Sequence, residues 1–105
     1  MYLGLDYGTS EIKALLIDAA GNIVQTHGVS LSIQRPQPHW SEQSAAEWWQ
    51  ATNDLMAAMR EKSGNYWQQV KAIGLSGQMH GAVLLDAADK VLRPVILWND
   101  TRSAA

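Results

Sequence analysis

The sequence predicts an α/β fold with a mixed sheet, and three observations predict it. Residues 2–6, 11–18 and 22–33 are strand-like runs with short connections, which indicates an antiparallel meander because a parallel pair would need a longer crossover. A capped helix is expected from Ser44 to about Lys62, and another apolar strand follows at 70–77. The helix can serve as a right-handed crossover, so this fourth strand is expected to run parallel to the first.

The strands are predicted from the alternation of their side chains. Leu3 and Leu5 share one face of the first strand, and the second strand is apolar on most of both faces. Turn residues at 19–22 separate the second strand from the third, which is expected to bend or bulge at Gly28.

The helix boundaries follow from capping chemistry. Ser44 and Glu47 form the Ser-x-x-Glu pattern of a capping box, and Gly64 is a suitable stop. Beyond the fourth strand, residues 81–100 predict a hairpin around a turn at 86–89.

This order of elements is the opening of a ribonuclease-H-like fold of the actin-like ATPase type. Such a fold continues with further helices and strands, so the sequence ending in TRSAA is expected to be an incomplete domain. An incomplete sheet exposes an unpaired edge, which predicts either pairing with a second copy, as a homodimer, or marginal stability.

Composition narrows the class of protein. The chain has 105 residues, 47% hydrophobic, with a formal net charge of -2 and no cysteine, which excludes disulfides and cysteine nucleophiles. The charge does not favour a nucleic-acid partner. No segment resembles a membrane span or a signal peptide, so a cytoplasmic protein is the expectation.

The first candidate site is the turn after the first strand. Asp6 ends that strand and suits Mg²⁺, usually bound through water, while backbone N–H groups and hydroxyls at Gly8, Thr9 and Ser10 suit phosphate oxygens. Lys13 could add positive charge. A plain polar β-turn explains the same residues, and the turn alone does not decide between the two.

Two later segments could recognise a polar ligand. SGQMHG places Gln78 and His80 between glycines at the carboxyl end of the fourth strand, where α/β folds bind ligands. WNDTR offers the Trp98 ring for stacking on a sugar and Asn99 or Asp100 for its hydroxyls. The alternative for WNDTR is a polar turn with a surface pair between Asp100 and Arg102.

Four motifs together resemble one family. GLDYGTS, RPQPHWSEQ, GLSGQMHG and LWNDTR, in this order and spacing, are similar to the FGGY family of carbohydrate kinases, above all to its bacterial members that phosphorylate D-xylulose. The resemblance covers essentially the whole chain. It implies the actin-like fold of sugar kinases and Hsp70, with residues 1–105 as the first part of the N-terminal, sugar-binding domain. The rest of that domain and a C-terminal nucleotide domain would be absent.

The resemblance also implies a reaction and its residues. ATP and Mg²⁺ would serve the transfer of the γ-phosphoryl group to a ketopentose, giving D-xylulose 5-phosphate. The catalytic Asp that accepts the sugar proton would lie outside these residues, so the chain alone is expected to be inactive. The implied site residues are Asp6 at the metal and phosphate, Gly8, Thr9 and Ser10 at the γ-phosphate, Met79 and His80 at the sugar, and Gln78 and Asp100 as their neighbours.

Two alternatives stay open. One is a kinase for another pentulose or a polyol. The other is a ribonuclease-H-like nuclease of the resolvase type, whose first strand also carries a metal-binding Asp. Such nucleases cluster several carboxylates around two metals, whereas the strand at 70–77 supplies no acid.

Overall fold

The computed structural model describes residues 1–103. The elements are β1 (Tyr2–Tyr7), β2 (Glu11–Ile17), β3 (Ile23–Ser30), β4 (Glu42–Gln43), α1 (Ala45–Ser63), a 3-10 helix (Gly64–Gln69), β5 (Ala72–Gly77) and β6 (Val95–Ile96). Four strands form a mixed sheet in the order β3-β2-β1-β5. β2 is antiparallel to both β1 and β3, and β5 is parallel to β1, which confirms the predicted meander and crossover.

The core lies between α1 and the first three strands. Alternate residues of β1 and β2 form its sheet side, and residues at helical spacing form its helix side. Leu3, Leu16, Leu55 and Met59 are each at most 1% exposed. Burial of side chains of this size contributes about 1.5–3 kcal/mol each, so this contact fixes the helix on the sheet.

The start of α1 is only partly a capping box. The Ser44 hydroxyl accepts the Glu47 N–H at 3.4 Å, as predicted. The Glu47 carboxylate, however, accepts the N–H of Ser32 at 2.7 Å, so the reciprocal half of the predicted box is wrong. Glu47 thereby joins the helix to the segment that follows β3. The helix ends at Gly64, which adopts a positive φ of 53°.

The irregularity in β3 does not lie at Gly28. The register between β2 and β3 shifts between Leu16 and Ile17, while Gly28 pairs regularly with Lys13. A Cβ at Gly28 would lie 2.7 Å from a carboxylate oxygen of Glu11. Without a Cβ at Gly28, the Glu11 side chain can lie over this position.

The predicted hairpin at residues 81–100 forms only near its turn. The Asp86 N–H donates to the Lys90 carbonyl at 2.8 Å, the Leu92 N–H donates to the Leu84 carbonyl at 2.9 Å, and an antiparallel bridge pairs Leu85 with Val91. Val95 and Ile96, which form β6, pair instead with β4 in a separate antiparallel pair. Pro94 has no N–H to donate to a ladder, which explains why the pairing changes partner there.

The helix leaves one strand of the sheet uncovered. Ile73 and Leu75 of β5 lie opposite Leu3 and Leu5, on the helix side of the sheet, yet they are 53% and 72% exposed.

Among residues 1–103, no helix combines the length and apolar character needed to cross a membrane.

Candidate functional site

The predicted site segments meet at one edge of the sheet. Because β1 and β5 are parallel, their carboxyl ends lie side by side, where ligands bind in open α/β sheets. The Gln78 N–H donates to the Tyr7 carbonyl at 2.9 Å, which extends the pairing past the last strand residues. The Trp98 indole N–H donates to the Thr9 hydroxyl at 2.9 Å. The opening turn therefore contacts both later segments.

The opening turn is a tight turn closed by one backbone hydrogen bond. The Gly8 N–H donates to the Glu11 carbonyl at 3.0 Å, and a Cβ at Gly8 would approach that oxygen to 3.0 Å, closer than nearly all real contacts. Within residues 1–103, the N–H groups of Thr9 and Ser10 donate to no backbone or side-chain acceptor. Two neighbouring free N–H groups can hold phosphate oxygens.

Asp6 lies just before this turn, on the face of the sheet opposite α1, which is called the open face below. One of its carboxylate oxygens accepts the Ser76 hydroxyl at 2.8 Å from the neighbouring strand. The other oxygen is free to bind, and the side chain is exposed. Among the described residues, no group of three or more acidic or histidine side chains could hold a metal ion together. One exposed carboxylate fits Mg²⁺ that keeps most of its water shell.

Lys13 contacts an acid of its own strand. It lies opposite Asp6 in the pairing of β1 with β2, and its ammonium is 3.2 Å from the Glu11 carboxylate. Both side chains are largely exposed, so this pair contributes at most about 1 kcal/mol and does not hold Lys13 firmly. A phosphate contact from Lys13 stays a prediction.

Met79 and His80 lie on an exposed loop. Met79 is 67% exposed, and His80 has a left-handed backbone with φ 63°. His80 and Trp98 line a depression of about 270 Å³, with Leu84 and Pro94 among its apolar walls. A polar ring and an indole on apolar walls suit a small polyhydroxylated molecule.

Asp100 occupies a buried ion cluster. Its side chain is 1% exposed, accepts the Ser41 N–H at 2.6 Å and lies 2.7 Å from the Arg102 guanidinium. These hydrogen bonds, those of Arg102 above all, hold the pKa of the Asp100 carboxyl well below its usual value. Arg102 also contacts Glu42 at 3.0 Å and stacks 3.7 Å from the centre of the Trp40 ring.

This cluster changes the interpretation of WNDTR. The pair between Asp100 and Arg102 exists, as the alternative reading expected, but it is buried rather than at the surface. Its contacts attach the segment around β6 to β4, and Arg93 adds a second guanidinium to Glu42. A sugar contact from Asp100 stays a prediction, and the described contacts of its carboxylate are with protein groups.

Sequence reasoning missed Gln43. Its side chain lies between the other site segments with a residue exposure of 1%. Its amide N–H donates to the Thr9 carbonyl, and its amide oxygen accepts from Trp48 at 2.9 Å and Gln78 at 3.0 Å. The only sequence signal was its place in RPQPHWSEQ, because a long-range hydrogen bond leaves no periodic pattern.

Known protein sequences show which family this chain resembles. Residues 1–105 match the sequence profile of the FGGY family of carbohydrate kinases, N-terminal domain. Xylulose kinase of Escherichia coli (strain K12) is 50% identical over 104 residues, covering 99% of this chain and 21% of that protein. Xylulose kinase of Klebsiella pneumoniae is 48% identical over the same length, with the same coverage of both chains.

Solved structures show the same likeness. A crystal structure from Brucella ovis, described as a "xyloylose kinase", is 56% identical with a TM-score of 0.93 and covers 97% of this chain and 21% of its own. This chain thus spans about one fifth of the length of the relatives it matches. The likeness confirms the predicted actin-like fold of the sugar kinases. The chain belongs to the FGGY family of carbohydrate kinases.

Proposed function

We propose that this chain supplies the phosphate-binding turn and one sugar-binding wall of a kinase. The kinase transfers the γ-phosphoryl group of ATP to a hydroxyl of a ketopentose, with D-xylulose as the first candidate. The observation that carries the proposal is the meeting of three segments at one sheet edge, where Trp98 donates to Thr9 at 2.9 Å. The similarity to xylulose kinases favours D-xylulose over other pentuloses and polyols.

The turn side would hold the phosphoryl group. The free N–H groups of Thr9 and Ser10 would donate to γ-phosphate oxygens, with Gly8 allowing the close turn. Asp6 would hold Mg²⁺ through water, and this ion would neutralise charge on the phosphates. Phosphoryl transfer depends on positioning and charge neutralisation more than on covalent chemistry, and these groups supply both.

The loop side would hold the sugar. His80 can hydrogen-bond hydroxyls from one side of the depression, and the Trp98 ring can stack against the carbon chain from the other. Met79 would add an apolar contact. The group that accepts the proton of the attacking hydroxyl is not assigned to residues 1–103, and we expect the 105-residue chain alone to show no turnover.

The test is a coupled ADP-release assay with a full-length kinase carrying these 105 residues. We expect Mg²⁺-dependent turnover with D-xylulose above that with D-ribulose, L-xylulose or xylitol. Asp6→Asn should lower kcat at least about 100-fold, because it removes charge next to the transferred group. The matched control Asp54→Asn changes an exposed helix residue and should leave kcat unchanged.

Three results would contradict the proposal. The first is turnover by the 105-residue chain alone, and the second is no turnover of any sugar by the full-length protein. The third is tight binding of duplex or junction DNA at physiological salt, which would favour the nuclease alternative.

A further inference from the structure

Gln43 contacts the three segments of the site, two through its side chain and one through its backbone. It bonds the opening turn through the Thr9 carbonyl and the loop after β5 through Gln78. Its backbone pairs with Val95 at the start of β6, two residues before the segment that carries Trp98. Gln78 of the sugar loop also accepts the Thr9 hydroxyl directly, and among the described residues Gln43 is the side chain from outside these two segments that bonds both of them.

The hydrogen bonds allow only one orientation of this amide. The Trp48 indole N–H is a donor only, so the group that receives it at 2.9 Å must be the Gln43 oxygen. The Gln43 NH₂ group is thereby directed at the Thr9 carbonyl, which can only accept. Trp48 lies on α1, so the helix, which the core fixes on the sheet, sets the position of the amide.

A closed ring of hydrogen bonds results. Gln78 donates to Gln43 at 3.0 Å, and its own oxygen accepts the Thr9 hydroxyl at 3.4 Å. Thr9 in turn is bonded by Gln43 through its carbonyl. Because Gln43 is 1% exposed, loss of one of its partners would leave a buried polar group unpaired.

We propose that Gln43 is a positioning residue, which sets the separation between the phosphate-binding turn and the sugar-binding loop. It touches neither substrate and acts through Thr9 and Gln78. Displacement of one reacting group by about 1 Å can cost about 100-fold in rate. A residue that fixes this separation should therefore affect kcat more than the binding of either substrate. This proposal rests on the proposed kinase function.

The test substitutes Gln43→Glu in the same full-length kinase. The carboxylate keeps the volume and still accepts from Trp48 and Gln78, but it repels the Thr9 carbonyl instead of donating to it. We expect kcat to fall about 10- to 100-fold, with the KM values for ketose and ATP within about 3-fold of the parent. Gln68→Glu makes the same change at an exposed position and should leave all three constants unchanged.

A second variant covers a failure of the first to fold. Trp48→Phe keeps an aromatic ring in the helix but removes the N–H that orients the Gln43 amide. We expect a smaller loss of kcat in the same direction, again without a matching rise in either KM.

Three outcomes would overturn the proposal. The first is a Gln43→Glu variant that melts at a lower temperature but keeps its kcat, which would show a purely structural role. The second is a rise in both KM values at constant kcat. The third is an unchanged kcat in Trp48→Phe. Failure of the kinase function itself is distinguishable, because the unmodified protein would then turn over no sugar.

Discussion

The two sides of the candidate site differ in how firmly they are held. The opening turn is bonded by side chains from three other segments, namely Gln43, Gln78 and Trp98. Met79 and His80 lie instead on an exposed loop. The turn is therefore preorganised by the fold, whereas the loop is held at Gln78 and is exposed beyond it at Met79 and His80.

This difference has a chemical reason under the proposed function. In every such kinase ATP supplies the same γ-phosphoryl group, whose position must be fixed for transfer. The sugar differs from one kinase to another, and exposed loop residues can change without disturbing the core. A firm turn beside an adaptable loop lets one scaffold serve several sugars.

The largest effect on stability is expected at the buried ion cluster of Glu42, Asp100 and Arg102, which attaches the segment around β6 to β4. Asp100→Asn should lower the thermal midpoint of the protein at pH 7 by several degrees, because Arg102 loses its charged partner and is left beside Glu42 alone. Asp89→Asn, at an exposed position with a φ of 62° that Asn tolerates, is the matched control. Equal midpoints for the two variants would contradict this role of the cluster.

The lowered pKa of Asp100 predicts that the effect of Asp100→Asn on thermal stability depends on pH. The folded pKa of Asp100 lies below its usual value of 3.8, so the unfolded chain binds more protons as the pH falls below about 4. The stability from this carboxylate is complete above that pH and is lost on acidification. The gap in thermal midpoint between parent and Asp100→Asn should therefore narrow from pH 5 to pH 2. A constant gap would mean that the ionised carboxylate is not the source.

On the exposed side, the expected effect is on sugar binding rather than stability. His80→Asn, which suits the left-handed backbone at φ 63°, should raise the KM for the ketose about 10-fold and leave the KM for ATP within about 2-fold. Loss of one or two hydroxyl contacts is enough for this change. His39→Asn is the matched control, because His39 has a φ of 68°. An equal rise in both KM values would contradict the assignment of His80 to the sugar-binding wall.

Sequence patterns predicted the sheet and the helix well, and the contacts between distant segments poorly. Alternation in β1 and β2 and the cap at Ser44 gave the sheet order, and the parallel pairing of β5 brought the candidate segments to one edge. The burial of Asp100 and the role of Gln43 were not predicted. Both depend on partners 34 to 59 residues away, and such contacts leave no local signal.

The smallest effect is expected at Gly28, on the open face of the sheet. Gly28→Ala places a Cβ against the far end of the Glu11 side chain, which can swing away, so the free energy of unfolding should change by less than about 1 kcal/mol. The swing separates Glu11 from Lys13 and frees the ammonium. If Lys13 serves the phosphates, the KM for ATP should then fall a few-fold, and the double variant Gly28→Ala with Lys13→Met should abolish that gain. An unchanged KM for ATP in the single variant would contradict a phosphate contact from Lys13. A freed positive charge on the open face would then have no influence on the nucleotide, and phosphate binding would be assigned to the opening turn alone.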